Sequence, residues 1–369
     1  MLLSIFQSRF LRQAILLIGI ILITLKLWPA SRKAVFVFGG SSEIRESFQK
    51  ARNETLGVEK VFAINLPGRP DKRDNLVLGS SVTGFRVDWI AGVNSDEINP
   101  KTFPYNWNND HSASEYACRR AHVNGMQRIV EERISSAIIM EDDADWDVSL
   151  KAQLESLARA VRALQGTSAT KTHSPYGDDW DILWLGHCGV ECKTDRPYYL
   201  TPADPTVPLP RHFLPYWRES PPIERADDTR LICAAQDVAC SSFYAVSFRG
   251  AQRILAALSV NPVGIAEEID IGAQIDVALG RMCGNGYLTC FTAFPAFTGI
   301  YRPAGSSAKV SDIHEEEGHV GEKTVHSTWE DVEVPDINPL DVVMGEGEVY
   351  CQRGVRGSGI NTLGKATPK

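Results

Sequence analysis

The apolar stretch Ser136-Ala137-Ile138-Ile139-Met140 runs directly into Glu141-Asp142-Asp143-Ala144-Asp145. A short continuous apolar run reads as a buried strand. Carboxylates at the point where such a strand leaves its sheet stand at the carboxyl edge, where α/β folds bind ligands. On a strand, alternate residues share a face, so Glu141 and Asp143, with Asp145 beyond them, are expected to point one way and Asp142 the other unless the chain has already turned. Ionised carboxylates this close repel one another, and a divalent cation relieves the repulsion. Mg²⁺ or Mn²⁺ suits such a set, because both take oxygen ligands from one or two carboxylates together with substrate phosphates. The expected chemistry is Lewis-acid stabilisation of a departing diphosphate, with Glu141, Asp142 and Asp143 as the metal ligands. The competing account is a helix start, where Asp is common in caps and first turns, and it serves equally well for Asp145 and Asp147.

The elements around this cluster follow from periodicity. Val61-Phe62-Ala63-Ile64-Asn65-Leu66, stopped by Pro67-Gly68, reads as a strand, and Phe85 to Val93 as a second. Ser114 to Ile134 carries apolar residues at helical spacing through Cys118, Ala121, Met126, Ile129 and Val130. Further helices are expected over about Val148 to Leu164 and Gly250 to Leu258, and further strands at Asp181 to Gly186 and Phe243 to Ser247. Strands alternating with helices imply an α/β layered sheet. Gly189 to Ala226 is dense in Pro and aromatic residues without a period and reads as a long ordered loop beside an acceptor site. The chain from about 313 is charged and Gly-rich and is expected to be a low-order tail.

The 369 residues carry 43% apolar and 23% charged side chains, enough to bury a sizeable core. Asp and Glu outnumber Lys and Arg by 46 to 38, and no basic stripe is evident, which argues against nucleic acid as a partner. Ala14 to Leu25 is an unbroken apolar run. Extended through its amphipathic ends it approaches the roughly 20 residues a membrane span needs, so 1–30 is expected to be a signal anchor and 31–59 a polar stem. A cleaved signal peptide with Arg9 and Arg12 as its basic start is the competing account. The basic residues flanking the run are nearly balanced and do not fix its orientation.

The eight cysteines include three close pairs in the second half, Cys188/Cys192, Cys233/Cys240 and Cys283/Cys290, which look like short disulfide loops although spacing leaves the pairing itself open, with a zinc site the less favoured use of Cys188-x-x-x-Cys192. Asn53-Glu54-Thr55 is a glycosylation sequon just beyond the expected anchor.

Several segments together resemble glycosyltransferase family 25, the group of bacterial lipopolysaccharide and collagen galactosyltransferases, and most of all its fungal branch. They are Ala63-Ile64-Asn65-Leu66-Pro67 with Arg69, Asp71 and Arg73; Ser114-Glu115 with Cys118 and His122; Ile138 to Asp143; Trp180 to Gly189; Tyr244-Ala245-Val246-Ser247 with Gly250-Ala251; and Asp276 before a helical Ala-Leu. The pattern departs from the family at Ala117 and Ala121, where other small residues are usual.

The resemblance implies a GT-A-type, Rossmann-like mixed sheet flanked by helices over 60–312 and an inverting, metal-assisted transfer of a hexose. Galactose from a UDP-sugar is the expected donor group, a glycan or glycoprotein the acceptor. With the expected anchor, the cysteines and the sequon, the chain is expected to be a single-pass type II Golgi or other secretory-pathway membrane protein with its catalytic domain in the lumen. Carried over residue by residue, Asn65, Arg69 and Arg73 are donor-contact candidates, Arg being able to grip phosphate through two parallel donors; a turn with exposed cations is the alternative. Glu115 and His122 are retained, although His122 could equally be a packed helix histidine. His187, in the Leu185-Gly186-His187-Cys188-Gly189 turn, is placed near the sugar or the metal, or packs a loop. Inversion needs one base for the acceptor hydroxyl, for which Asp276 matches best and Asp270 is next, Glu267 and Glu268 reading as a solvated helix start. A non-catalytic lumenal glycan- or partner-binding protein with a retained fold is the rival expectation.

Overall fold

A computed structural model of the chain describes residues 42–103, 111–208, 222–259 and 274–301. Its central strands are buried on both faces, alternate side chains joining opposite cores. In β1 (Lys60–Asn65), Val61 and Ala63 face one side of the sheet while Phe62 and Ile64 face the other. In β3 (Ser136–Glu141), Ile138 and Met140 are on the first side and Ala137 and Ile139 on the second. Strands buried on both faces need a helical layer on each, and the sequence supplies amphipathic ones.

On the first face lie α1 (Ser42–Gln49) and α4 (Leu150–Leu164), which presents Leu150, Leu154, Leu157 and Val161 at helical spacing. The second face is covered by α3 (Ala113–Glu131) through Met126 and Ile129, by α5 (Phe248–Ser259) through Ile254 and Ala257, and by α6 (Ile275–Gly284) through Leu279 and Met282. Within the segment expected as a stem, Phe48, Ala51, Leu56 and Val58 are buried in the first-face core.

The remaining elements are α2 (Pro70–Thr83), β2 (Asp88–Ala91), β4 (Ala144–Trp146), β5 (Ile182–Gly186), β6 (Gly189–Cys192), β7 (Tyr198–Thr201), β8 (Arg230–Ala239), β9 (Phe243–Ser247), β10 (Cys290–Phe294) and β11 (Thr298–Ile300). The main strand order is β2-β1-β3-β9-β5-β10-β8-β6, with β7 on β8 and β11 bridging β4 and β5. β2, β1 and β3 are mutually parallel, whereas β9 runs antiparallel to β3 and β5. This is the expected α/β class with a mixed sheet.

Two expectations need correction. The Pro- and aromatic-rich stretch from Gly189 is not simply a loop, because it contains β6 and β7, both paired with β8. The cysteines do not all close short loops: the bonds are Cys188–Cys240, Cys192–Cys233 and Cys283–Cys290. Antiparallel pairing of β6 with β8 brings Cys192 near Cys233 and the chain before β6 beside Ala239, so the first two bonds cross between strands. Only Cys283–Cys290, seven residues apart, follows the close-pair pattern.

The expected anchor (1–30) and tail (313–369), Asp270 and the pair Glu267/Glu268 lie outside the described residues. Among the described residues no helix is long and apolar enough to cross a membrane.

Candidate active site

After β1 the chain passes to β2 on one side, then returns through α3 to β3 on the other. That reversal makes the carboxyl end of β1/β3 a topological switch point, where open α/β sheets leave a crevice for ligand. A cavity of about 340 Å³ opens there. Its wall includes Ile64 and Leu66 from the end of β1, Gly92 to Asp96 after β2, Cys118 and His122 from α3, and Glu141, Asp142 and Asp143 from the end of β3. Gly92 fits because its backbone passes close to Leu66: a Cβ there would lie 3.0 Å from Leu66 Cδ2.

The acidic residues divide rather than alternate. β3 ends at Glu141 and the chain turns at Asp142 and Asp143, which removes the strand alternation expected for the cluster. Glu141 points toward α3 and β9: Ser241 Oγ donates to its Oε1 at 2.9 Å, and His122 Nε2 is 3.4 Å from the same oxygen. Burial by itself raises the Glu141 pKa, but the neighbouring His122, the Ser241 hydroxyl and the Lys72 charge outweigh it and hold the carboxyl below its usual range.

Asp142 and Asp143 instead converge on Lys72. Its Nζ is 3.1 Å from Asp142 Oδ1 and 3.6 Å from Asp143 Oδ2. Asn65 Nδ2, buried at the end of β1, donates to Asp142 Oδ2 at 2.9 Å and to the Arg69 carbonyl at 3.0 Å. Asn65 therefore ties the ends of β1 and β3 and the following turn into one unit.

The other sequence candidates are distributed around this centre. Arg69 makes a two-pronged pair with Asp71, at 2.9 Å and 2.7 Å, and the guanidinium of Arg73 lies 4.3 Å above the Trp89 ring. Glu115 is the third residue of α3 and forms a capping box with Ser112, its carboxylate accepting from the Ser112 amide at 2.5 Å. It also accepts from Gln274 Nε2, joining the starts of α3 and α6. Burial raises the Glu115 pKa, but these donors and His111 leave it lowered overall. Asp276 lies in the first turn of α6, where its Oδ2 accepts from the Cys240 amide at 2.8 Å. It is absent from the cavity wall.

His187 is likewise absent from the cavity wall. It is buried after β5, and its Nε2–H donates to the Ala293 carbonyl at 2.8 Å. Burial depresses its pKa to about 4.

Sequence reasoning missed Lys72, although Pro70 at the start of α2 was a signal. Proline favours the first helical turn, and the third residue of that helix, Lys72, meets the carboxylates after β3. It also missed Asn94, Ser95 and Asp96, whose place in the wall depends on the course of the chain after β2, and Tyr244, whose hydroxyl lies 2.9 Å from His122 Nδ1.

The carboxylates fit a hard divalent cation in chemistry and charge. Glu141, Asp142 and Asp143 against Lys72 leave two formal negative charges at the end of β3, and Asp96 adds a third to the cavity wall. Asp142 and Asp143 supply oxygen donors of the kind Mn²⁺ and Mg²⁺ prefer.

No family model matches the chain. Curated relatives do. The chain is 23% identical over 163 residues, 41% of its length, to procollagen galactosyltransferase 1 of Danio rerio. It is 24% identical over 148 residues, 37% of its length, both to a probable inactive glycosyltransferase 25 family member 3 of Bos taurus and to the inactive glycosyltransferase 25 family member 3 of Homo sapiens. The chain spans about a quarter of the length of these relatives, the covered shares being 25% for the first and 23% for the others. The similarity is thus a distant one to glycosyltransferase 25 family members, of which one is named as a galactosyltransferase and two as inactive.

Proposed function

We propose that this protein is a nucleotide-sugar-dependent glycosyltransferase that moves a hexose, galactose from UDP-galactose in the first instance, to a glycan or glycoprotein acceptor with inversion. The observation that carries the reading is the acidic end of β3 in the cavity at the sheet's switch point, together with the distant similarity to a galactosyltransferase. Asp96, in the wall after β2, suits the donor's ribose hydroxyls, since a carboxylate beyond the second strand does this in related nucleotide folds. Asp142 and Asp143 would hold Mn²⁺ or Mg²⁺, which when bound supplies a Lewis acid against the diphosphate charge. Lys72 contributes a permanent cation beside the same charge. Arg69 and Arg73 stand on the turn and first helix after β1 and remain the candidate diphosphate grips. Asp276 remains the proposed proton acceptor, with Asp270 the alternative; the negative field of Asp276 reaches Cys118 in the cavity wall. Three disulfides support an oxidising compartment, and with the apolar run at 14–25 they support a type II membrane protein of the Golgi or another secretory compartment.

The deciding experiment is thermal unfolding of the full chain with UDP-sugars, with and without Mn²⁺, followed by transfer assays on the stabilising donor. Ligand bound to the folded state raises the unfolding temperature by mass action. Metal-dependent stabilisation by a UDP-sugar, and loss of transfer in Asp142→Asn/Asp143→Asn, are expected. No response to any donor would sink the reading.

A specific observation favours one second reading, a non-catalytic glycan- or partner-binding protein. Lys72 already neutralises Asp142 and Asp143 in part, and two of the relatives are named inactive. Binding of a donor without transfer to any acceptor would select it.

A further inference from the structure

Glu141 is separated from Asp142 and Asp143 by the turn, and what it faces is of a different chemical kind. Cys118 and His122 are four residues apart on α3 and so share one helix face. One ligand atom from each of Cys118, His122 and Glu141 lies within 4.8 Å of the others. His122 Nε2 stands 3.4 Å from Glu141 Oε1, a separation close to the edge of a tetrahedron whose nitrogen and oxygen corners lie about 2.0–2.1 Å from a central zinc ion.

The imidazole is held for such a role. His122 is 1% exposed, and its Nε2 borders the cavity with Glu141 Oε1 3.4 Å away. Its Nδ1 lies 2.9 Å from the Tyr244 hydroxyl, and the Tyr244 ring packs against Trp184 at 5.5 Å between centroids. When Nδ1–H donates to that hydroxyl oxygen, the Nε2 lone pair faces Cys118 and Glu141. An outer hydrogen bond of this kind orients ligating histidines and fixes their tautomer. Ser241 holds the Glu141 carboxylate in the same way.

We propose that Cys118, His122 and Glu141 form a seat for Zn²⁺, distinct from the oxygen-only pair Asp142 and Asp143. A thiolate and an imidazole select zinc over manganese or magnesium. As the Zn–S bond forms, the Cys118 proton leaves to solvent and the ion carries the thiolate charge. Three protein ligands leave a fourth position open, and all three residues border the cavity. The proposal does not depend on the transferase reading.

The test is a Co²⁺ titration of the full chain after removal of metals with a chelator, read by absorption. Thiolate-to-cobalt charge transfer and tetrahedral ligand-field bands are expected to saturate at one equivalent and to be displaced by Zn²⁺. Cys118→Ser should lose the charge-transfer band. His122→Gln, which keeps the thiol, should weaken Co²⁺ binding at least tenfold, and Tyr244→Phe about tenfold or more. Cys351→Ser and Asp142→Asn/Asp143→Asn should keep the spectrum. No charge-transfer band in the parent chain would overturn the proposal, as would a band that survives Cys118→Ser but disappears in Cys351→Ser. Because no sugar nucleotide is used, failure here is separable from failure of the transferase reading.

Discussion

Lys72 closes an ion pair on Asp142, with Nζ 3.1 Å from Oδ1, and both side chains are about nine-tenths buried. Removing one member of a buried pair leaves the other charge without compensation, at a cost of about 3 kcal/mol or more. Lys72→Met should therefore lower stability by about that amount in chelator. If Asp142 and Asp143 take a divalent cation, Mn²⁺ should restore more stability to the variant than it adds to the parent chain. Urea unfolding with and without Mn²⁺ reads both effects.

Two buried groups tie stability to pH with opposite signs. Burial raises the Asp147 pKa to about 7 and depresses that of His187 to about 4. Between pH 4 and 7 the folded state keeps a proton on Asp147 that the unfolded chain has lost, so this group's contribution falls as pH rises. Between pH 4 and 6.5 the unfolded chain binds a proton at His187 that the folded state refuses, so that contribution grows as pH rises. The two largely cancel. Asp147→Asn should unmask a rising profile and His187→Gln a falling one, each with a slope of up to about 1.4 kcal/mol per pH unit. Chemical denaturation at several pH values is the measurement, and parallel profiles in both variants would refute the assignment.

The disulfides should differ in worth. Cys188–Cys240 spans 52 residues and Cys283–Cys290 spans seven. On the chain-entropy account Cys283–Cys290 is worth about 2.5 kcal/mol; Cys188–Cys240 is nested around Cys192–Cys233, so the outer bond adds about 3 kcal/mol while the inner one is intact, and the two together are worth more than about 4. The quadruple serine variant at 188, 192, 233 and 240 should thus unfold at lower denaturant concentration than the double variant at 283 and 290. The reverse order would point to packing around Cys283 as the larger effect.

Asn65 joins Asp142 to the Arg69 carbonyl through one amide nitrogen. Asn65→Asp would replace that donor by a carboxylate facing another carboxylate. A loss of about 2 kcal/mol or more is expected from the orphaned partners, while Asn65→Ala should cost less because it adds no charge. Comparing the two by thermal unfolding separates hydrogen-bond loss from repulsion.

What the sequence disclosed follows from how each element is buried. β3 was legible because Ile138 to Met140 is covered on both faces and so forms an unbroken apolar run. The helices α3, α4 and α5 were legible because each covers one face of the sheet. α2 was not: only Leu76, Gly79 and Ser80 are buried, while Val77, Leu78 and Val82 are exposed, so no stripe marks it. That is also why Lys72 went unread. The division of the acidic cluster depends on a turn after Glu141, and the cysteine pairing on the register of β6 against β8, neither of which local pattern encodes.

Cys188–Cys240 and Cys192–Cys233 both enclose 193–232, one bond nested inside the other. A protease that cuts between β7 and β8 would produce two chains still joined covalently by both bonds. Such a nick would be silent on a non-reducing gel and visible only after reduction, and the sheet on either side would keep its register. A cut between β7 and β8 would therefore leave β6 and β8 fastened together.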